Sequence, residues 1–384
     1  MTDLVVVSLE AWDGVWRRNQ HLVSRLLAAD AALRVLFVEP PADPLHDLRS
    51  KRRPQFALRS RERREVQPRL WTVRPLKLLP RRLDRGADRR FARAVERAAR
   101  RLGMTEPVLW INDPAAAAVS WLTGWPTLYD ITDDWAAADR GARTRARTVE
   151  GERQLLRSAE QVVVCSPELV VRKSAARSVG RAPIVLIPNG VDTAAYRSEQ
   201  ARPADLPAGP VALYAGTLHT DRLDVALCVA TARELGSAAT LAMVGPNALG
   251  GADTAALREA GVVLVGAKPH TEIPAYLKHA DVLLVPHIVD EFTDSLDPIK
   301  LYEYQAAGRP VVSTAVAGFR DAEGVAVVEG GAGAFAAAIQ AAAAPVASHA
   351  FDAAEVDWSR RAEVFASVLD AASRRRRPTS PDER

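Results

Sequence analysis

A lysine and a glutamate three residues apart, Lys300 and Glu303, lie in the stretch Asp297-Pro298-Ile299-Lys300-Leu301-Tyr302-Glu303-Tyr304-Gln305-Ala306-Ala307-Gly308. Proline suits the first turn of a helix and glycine its end, so the pattern predicts a short amphipathic helix over 298–307. At this spacing the two side chains share one helical face. A helix N-terminus with a lysine in its first turn offers backbone N–H groups, a positive dipole end and a cation, which suits a phosphate. A carboxylate one turn further repels phosphate but accepts hydrogen bonds from sugar hydroxyls. A cation for a diphosphate beside a carboxylate for a ribose is the pairing that a nucleotide-sugar site requires.

Acids also collect in Tyr129-Asp130-Ile131-Thr132-Asp133-Asp134-Trp135, where an apolar strand pattern ends. Burying an unpaired carboxylate is costly, so Asp133 and Asp134 are candidate functional acids, the alternative for Asp134 being a helix cap. Trp12-Asp13-Gly14-Val15-Trp16-Arg17 follows the first strand; its tryptophans are either core residues or stacking surfaces for a sugar or ring acceptor. Neither first turn carries the glycine fingerprint of dinucleotide-binding folds, and no Walker A sequence is present, which argues against oxidoreductases and NTPases.

These residues need elements to hold them. The 384 residues exceed the usual size of one domain, and with 48% hydrophobic residues the chain can bury two cores. Strand and helix patterns alternate from Leu4 to Ala371, the mark of α/β architecture with parallel sheets. A proline-rich break at 198–210 predicts a linker between domains at 1–197 and 211–354, with a helix over 355–373 and a disordered tail at 374–384. Cys165 and Cys228 read as buried thiols, neither having a partner at ligand spacing. No apolar run reaches the ~18–20 residues of a membrane helix, and Met1-Thr2-Asp3 lacks the basic start of a signal peptide. A cytoplasmic location is expected. The net charge is +4, yet Arg49–Arg101 holds 20 Lys/Arg against 5 Asp/Glu. That basic segment predicts an acidic partner, such as anionic lipid at the inner membrane face or a carrier protein; with few interleaved aromatics it does not predict nucleic acid. The sequence assigns no oligomeric state.

The run Pro298-x-Lys300-Leu-Tyr-Glu303-Tyr-x-Ala-Ala-Gly308-x-Pro310-Val-Val resembles the donor-site signature of retaining GT-B glycosyltransferases. Val185-Leu-Ile-Pro188-Asn189-Gly190-Val-Asp192, Tyr214-Ala-Gly216-Thr-Leu and Ala280-Asp-Val-Leu-Leu-Val-Pro286 extend the match. The order and spacing are similar to glycosyltransferase family 4 (group 1), in its teichuronic-acid-type bacterial branch. The resemblance implies two Rossmann-like domains with parallel sheets facing across a cleft. It also implies a nucleoside-diphosphate sugar as co-substrate, UDP favoured, no metal cofactor, and an acceptor that is lipid-linked, carrier-bound or a natural product.

By the same resemblance the donor is held by Ile299, Lys300, Leu301 and Glu303, by the Gly266-Ala267-Lys268 loop beside the base, by Gly245 below it, and by Gly14 at the first turn. Trp12, Trp16 and Arg17 lie on the acceptor side. Three departures stand out. Relatives carry Gly-Arg where this chain has Gly216-Thr217, leaving His219 or Arg222 to supply the charge. Ser295 stands where relatives place a glutamate eight residues before Glu303, leaving Glu291, Asp294 or Asp297 to replace it. Asp133 stands where many relatives have histidine. Alternatives are a nucleotide-sugar epimerase or hydrolase on the same fold, and a non-catalytic binder of anionic surfaces.

Overall fold

The computed structural model describes residues 3–43, 64–77, 84, 86–136, 141–290, 293, 297–342 and 353–374. Glu291, Asp294 and Ser295, most of 43–69, and the tail beyond 374 lie outside them. The described residues divide into two units, one drawn from 1–13, 18–188 and 361–384, the other from 14–17 and 189–360.

In the first unit, β1 (Asp3–Val7), β2 (Arg34–Val38), β3 (Arg64–Gln67), β4 (Leu70–Val73), β5 (Val108–Ile111), β6 (Thr127–Ile131), β7 (Gln161–Val164) and β8 (Val185–Leu186) form one sheet. Their order is β3-β4-β2-β1-β5-β6-β7-β8. Every described pairing is parallel except β3 with β4. The helices are α1 (Arg18–Ala29), α2 (Ala87–Arg100), α3 (Ala118–Thr123), α4 (Ala142–Ser158) and α5 (Pro167–Ser174). Parallel strands covered on both faces must be apolar throughout, and β5 to β7 are buried at every position. On one face Val5, Val7, Leu109 and Ile111 pack with Val95 and Ala99 of α2. Alternate residues point the other way, where Trp110 meets Phe365 of α12 (Trp358–Arg374) at 4.5 Å between ring centres.

The second unit has β9 (Val211–Ala215), β10 (Thr240–Val244), β11 (Val263–Gly266), β12 (Val282–Val285), β13 (Val311–Ser313) and β14 (Val325–Val327), ordered β11-β10-β9-β12-β13-β14 and all parallel. Its helices are α6 (Thr193–Arg197), α7 (Val225–Leu235), α8 (Gly251–Glu259), α9 (Ile273–His279), α10 (Ile299–Ala307) and α11 (Ala332–Ala342). Leu213, Val244 and Leu283 enter one core with Tyr304 of α10, and Tyr214, Met243 and Leu284 enter a second with Phe335 of α11.

Three expectations need correction. The chain changes unit at Pro188/Asn189 and not at 198–210. Lys278 Nζ donates to the carbonyls of Tyr196 and Ser198, and Asp205 accepts from Lys268 Nζ and the Tyr276 hydroxyl at 2.5 Å each. The proline-rich segment is thereby fastened along the second unit. Second, the charged, aperiodic stretch 43–69 reads as a long loop, yet its described end forms an edge hairpin, β3–β4, turned by Arg69 at φ +69°. The Arg69 guanidinium donates to the carbonyls of Leu27, Asp30 and Leu33, closing the C-terminal end of α1. Third, the apolar pattern over 14–29 reads as one helix, yet α1 begins at Arg18, four residues after Gly14, so Gly14 is not at a helix N-terminus.

Candidate functional site

At the C-terminal edge of the second sheet three adjacent strands end in glycine. Gly216 follows β9 at φ +144°, Gly245 follows β10 at +141° and Gly266 closes β11 at +88°. Such backbone is nearly reserved for glycine. The ends are laced together: Gly216 N–H donates to the Val244 carbonyl at 2.8 Å and Gly245 N–H to that of Gly266 at 2.9 Å. A Cβ on Gly245 would lie 2.1 Å from the Gly216 carbonyl oxygen. A Cβ on Gly216 would lie 2.5 Å from Lys300 Cε. The glycine after β9 therefore makes room for the lysine of α10.

Helix α10 is placed by several contacts. Pro298 occupies its N-cap and not its first turn, and Gly308 ends it in the left-handed conformation at φ +64°. The Tyr304 hydroxyl donates to the Leu284 carbonyl at 3.2 Å and accepts from Ala215 N–H at 3.0 Å, tying the helix to β12 and β9. Asn189 clamps the start: its backbone N–H donates to Asp297 Oδ2 at 2.5 Å and its side-chain amide to the Asp297 carbonyl at 2.6 Å. Tyr302 donates to Asp297 Oδ1 at 2.7 Å. Both carboxylate oxygens of Asp297 are thus engaged by the protein, and this residue orders the helix start.

Lys300 is held in a cluster that sequence reading missed. Its ammonium donates to the Tyr214 hydroxyl at 2.7 Å, lies 3.3 Å from His287 Nε2, and sits 4.0 Å from the centre of the Tyr214 ring. The Tyr214 hydroxyl is 3.2 Å from the same Nε2 and 3.3 Å from the Thr217 carbonyl, either of which accepts its proton. Burial, then the cations of Lys300 and Arg222, hold the His287 pKa well below its usual value, leaving a neutral imidazole whose Nε2 accepts. Burial and then Arg222 push the Lys300 ammonium down to about 7, Glu303 opposing them. Burial pushes the Glu303 carboxyl up to about 7, Lys300 opposing. Among the described residues no group hydrogen-bonds the half-buried Glu303 carboxylate. The signal for this cluster was present as a tyrosine inside β9 and a histidine just after β12, polar groups needing a partner at strand ends.

The other expected donor residues separate. Arg222 bears on the Lys300 cluster through its charge, whereas His219 is exposed and pairs with Asp221 at 2.6 Å. In the Gly266-Ala267-Lys268 loop Ala267 is exposed, and Lys268 Nζ goes to Asp205 and lies over the Tyr276 ring. Ile299 is half-buried in the first turn of α10, and Leu301 packs toward the core.

On the acceptor side, Trp16 stacks on His270 with ring centres 3.8 Å apart, and His270 N–H donates to the Gly14 carbonyl at 3.1 Å. Arg17 donates to the Val15 carbonyl at 3.1 Å. A Cβ on Gly14 would meet nothing within 4 Å, so no steric demand of the chain itself explains that glycine. Trp12 packs edge-on against Phe37.

Asp134 is not an available acid. It is buried and accepts from Lys173 Nζ at 2.7 Å and Arg172 at 3.4 Å, while Lys173 also reaches Glu152 at 2.7 Å. A buried carboxylate paired in this way orders a loop. Asp133 stays half-buried on the same loop, with the Thr132 hydroxyl 3.5 Å away.

A second polar cluster, also missed, lies at the ends of β1, β5 and β6. Asp130, fully buried, accepts from Arg18 Nε at 3.1 and 3.2 Å and from Asn112 at 3.1 Å. Asn19 donates to Asn112 and to the Ser8 hydroxyl. An aspartate inside an otherwise apolar strand demands such a cation, and a polar run at 17–21 supplied it.

The family model described as glycosyl transferases group 1 matches residues 209–344, and the one described as a glycosyl transferase 4-like domain matches 13–190. A Bacillus subtilis (strain 168) protein, TuaH, named for glycosyl transfer in teichuronic acid biosynthesis, is 26% identical over 218 residues. That alignment covers 54% of this chain and 55% of TuaH, so the chain spans about half the length of the curated relative it matches. The fold is similar to sucrose-phosphate synthase from Thermosynechococcus elongatus (TM-score 0.63, 20% identity, 96% of each chain). It is also similar to Anabaena HepE in complex with UDP-glucose (0.60, 15% identity, 97% of each chain). A trehalose-phosphate synthase (UDP-forming) from Burkholderia xenovorans gives 0.67 at 14% identity, over 96% of this chain and 100% of the other. These are GT-B folds. With the two family models spanning both units and the glycine-lined strand ends facing α10, the chain belongs to the group 1, or family 4, glycosyltransferases.

Proposed function

We propose that this protein transfers a sugar from a nucleoside diphosphate, UDP in preference to others, to an acceptor hydroxyl, with retention of anomeric configuration and without a metal ion. One observation carries the reading: Lys300 stands in the first turn of α10 over a glycine, with the Glu303 carboxylate, which no group among the described residues hydrogen-bonds, one turn behind it. The UDP and UDP-glucose held by HepE support the uridine base.

In this mechanism the bond from the anomeric carbon to the diphosphate oxygen breaks, and negative charge grows on that oxygen. Lys300 and the α10 N-terminus stabilise it as preorganised donors. The acceptor oxygen bonds to the same face of the anomeric carbon, and its proton passes to the departing phosphate oxygen. Glu303 accepts from the ribose hydroxyls.

A saturable rise in thermal midpoint is expected with one of UDP-, GDP- or dTDP-sugars, unchanged by EDTA and lost in Glu303→Ala. No rise with any of the three would overturn the donor site, and a rise abolished by EDTA would overturn metal independence.

The two perturbed groups set a pH profile. Glu303, raised to about 7, loses its charge as pH falls below that value; Lys300, lowered to about 7, loses its charge as pH rises above it. kcat/KM for the donor should peak near pH 7 and fall up to about tenfold per unit on either side. Glu303→Gln should flatten the acid limb and leave the alkaline one. An alkaline limb that vanishes in that variant would refute the assignment.

A further inference from the structure

The first unit carries a charged surface with no part in the donor site. Helix α2 and its C-cap Arg101 hold six arginines against Asp88 and Glu96. Arg90 pairs with Asp84, and Arg100 with Glu96 at 2.8 Å. Arg89, Arg93, Arg97 and Arg101 are exposed and make no ion pair or hydrogen bond through their side chains among the described residues. At four-residue spacing they drift about 40° per step, so all four lie within about a third of the helix circumference, along about 18 Å. The opposite side, Ala92, Val95, Ala98 and Ala99, is buried on the sheet. The stripe is therefore fixed in orientation by the core beneath it.

Next to α2 packs α3, and there an apolar feature breaks the ordinary surface pattern. Trp121 is 60% exposed and Leu122 37%, the largest aromatic ring left in water among the described residues, on the helix packed against the one that carries the arginines. Arginine forks fit phosphate oxygens, and tryptophan partitions into the headgroup boundary of a bilayer. An acidic protein would satisfy the arginines but give no reason for the exposed indole and leucine. A nucleic acid would want bases stacked between the cations, and α2 exposes no aromatic ring there.

We infer that the α2–α3 surface of the first unit docks on a bilayer containing anionic phospholipid, the arginine stripe meeting headgroup phosphates and Trp121 with Leu122 entering the interface. No helix among the described residues is long and apolar enough to cross a membrane, and the proposed contact is interfacial, not spanning. Adding cations to such a surface strengthens partitioning by about fivefold per basic residue near the plane.

The test is co-sedimentation of the full chain with vesicles of phosphatidylglycerol in phosphatidylcholine, against phosphatidylcholine alone. The variant is Arg89→Gln/Arg93→Gln/Arg97→Gln/Arg101→Gln. A control replaces exposed arginines of the second unit, Arg197→Gln/Arg233→Gln/Arg258→Gln. The wild type and the control should bind anionic vesicles, more weakly at high salt, and the quadruple variant about a hundredfold less or worse. Its thermal midpoint and its response to nucleotide-sugars should match the wild type, which separates lost docking from lost folding. Trp121→Ala should lower partitioning with the charge intact. Equal binding by the quadruple variant, equal loss in the control, or no binding by the wild type would overturn the proposal. So would arginine-dependent binding to polyglutamate with none to vesicles, which would reassign the surface to an acidic polymer.

Discussion

Replacing Lys300 by methionine is expected to lower kcat/KM for the sugar donor by about 10²- to 10³-fold and to leave the protein folded. The side chain keeps its volume over Gly216 but loses the charge aimed at the leaving phosphate. Stability should not suffer, and below pH 7 it should rise. The folded state holds the Lys300 pKa down at about 7, so below that pH the protein charges an ammonium against burial and against Arg222. Methionine removes that cost. Steady-state kinetics and thermal denaturation on the same preparation check both halves. Unchanged kcat/KM would remove Lys300 from the diphosphate site, and a fall in activity matched by a collapse in thermal midpoint would show only a packing role.

Gly245→Ala should do the reverse, damaging the fold directly. The new Cβ would lie 2.1 Å from the Gly216 carbonyl oxygen, a backbone atom held by the strand hydrogen bonds, and φ there is +141°. Neither neighbour can swing aside as a side chain would. A loss of at least about 3 kcal/mol is expected, with a fall of about 10 °C in thermal midpoint or failure to accumulate soluble protein. Gly14→Ala makes the matched comparison, since nothing of the chain lies within 4 Å of its Cβ and its φ is not positive. It should change stability by no more than about 0.5 kcal/mol. Equal stability of Gly245→Ala and the wild type would show that the strand ends can move apart.

How well the sequence reads depends on what each segment buries. Thr127–Ile131, Val211–Ala215, Thr240–Val244 and Val282–Val285 are apolar runs with sharp ends, and the strands fall on those residues. The edge strand Arg64–Gln67 is exposed at every position, so no alternation marks it. Helix α11 reads Ala-Gly-Ala-Phe-Ala-Ala-Ala-Ile-Gln-Ala-Ala, and alanine on both faces erases the period that Phe335 and Ile339 would otherwise set. In the candidate site, Lys300 and Glu303 were legible from helical spacing because they lie within one element. Tyr214, His287 and the Arg18–Asp130 pair were not, because each partner lies on a different element. Asp297 was legible as an acid near the site but not as the anchor of Asn189, which lies 108 residues earlier.

The pairing of Trp110 with Phe365 has a consequence for synthesis. The strands and five of the helices of the first unit are made before residue 189, yet Trp110 is covered by a helix made after the whole of the second unit. Phe365 and Leu369 are fully buried, so until they emerge the part of the first sheet around Trp110 lies bare. The unit made second is nearly continuous in sequence and meets no such delay. During translation the later unit can finish first, while the earlier one waits with an apolar face that a chaperone or a neighbouring nascent chain can reach.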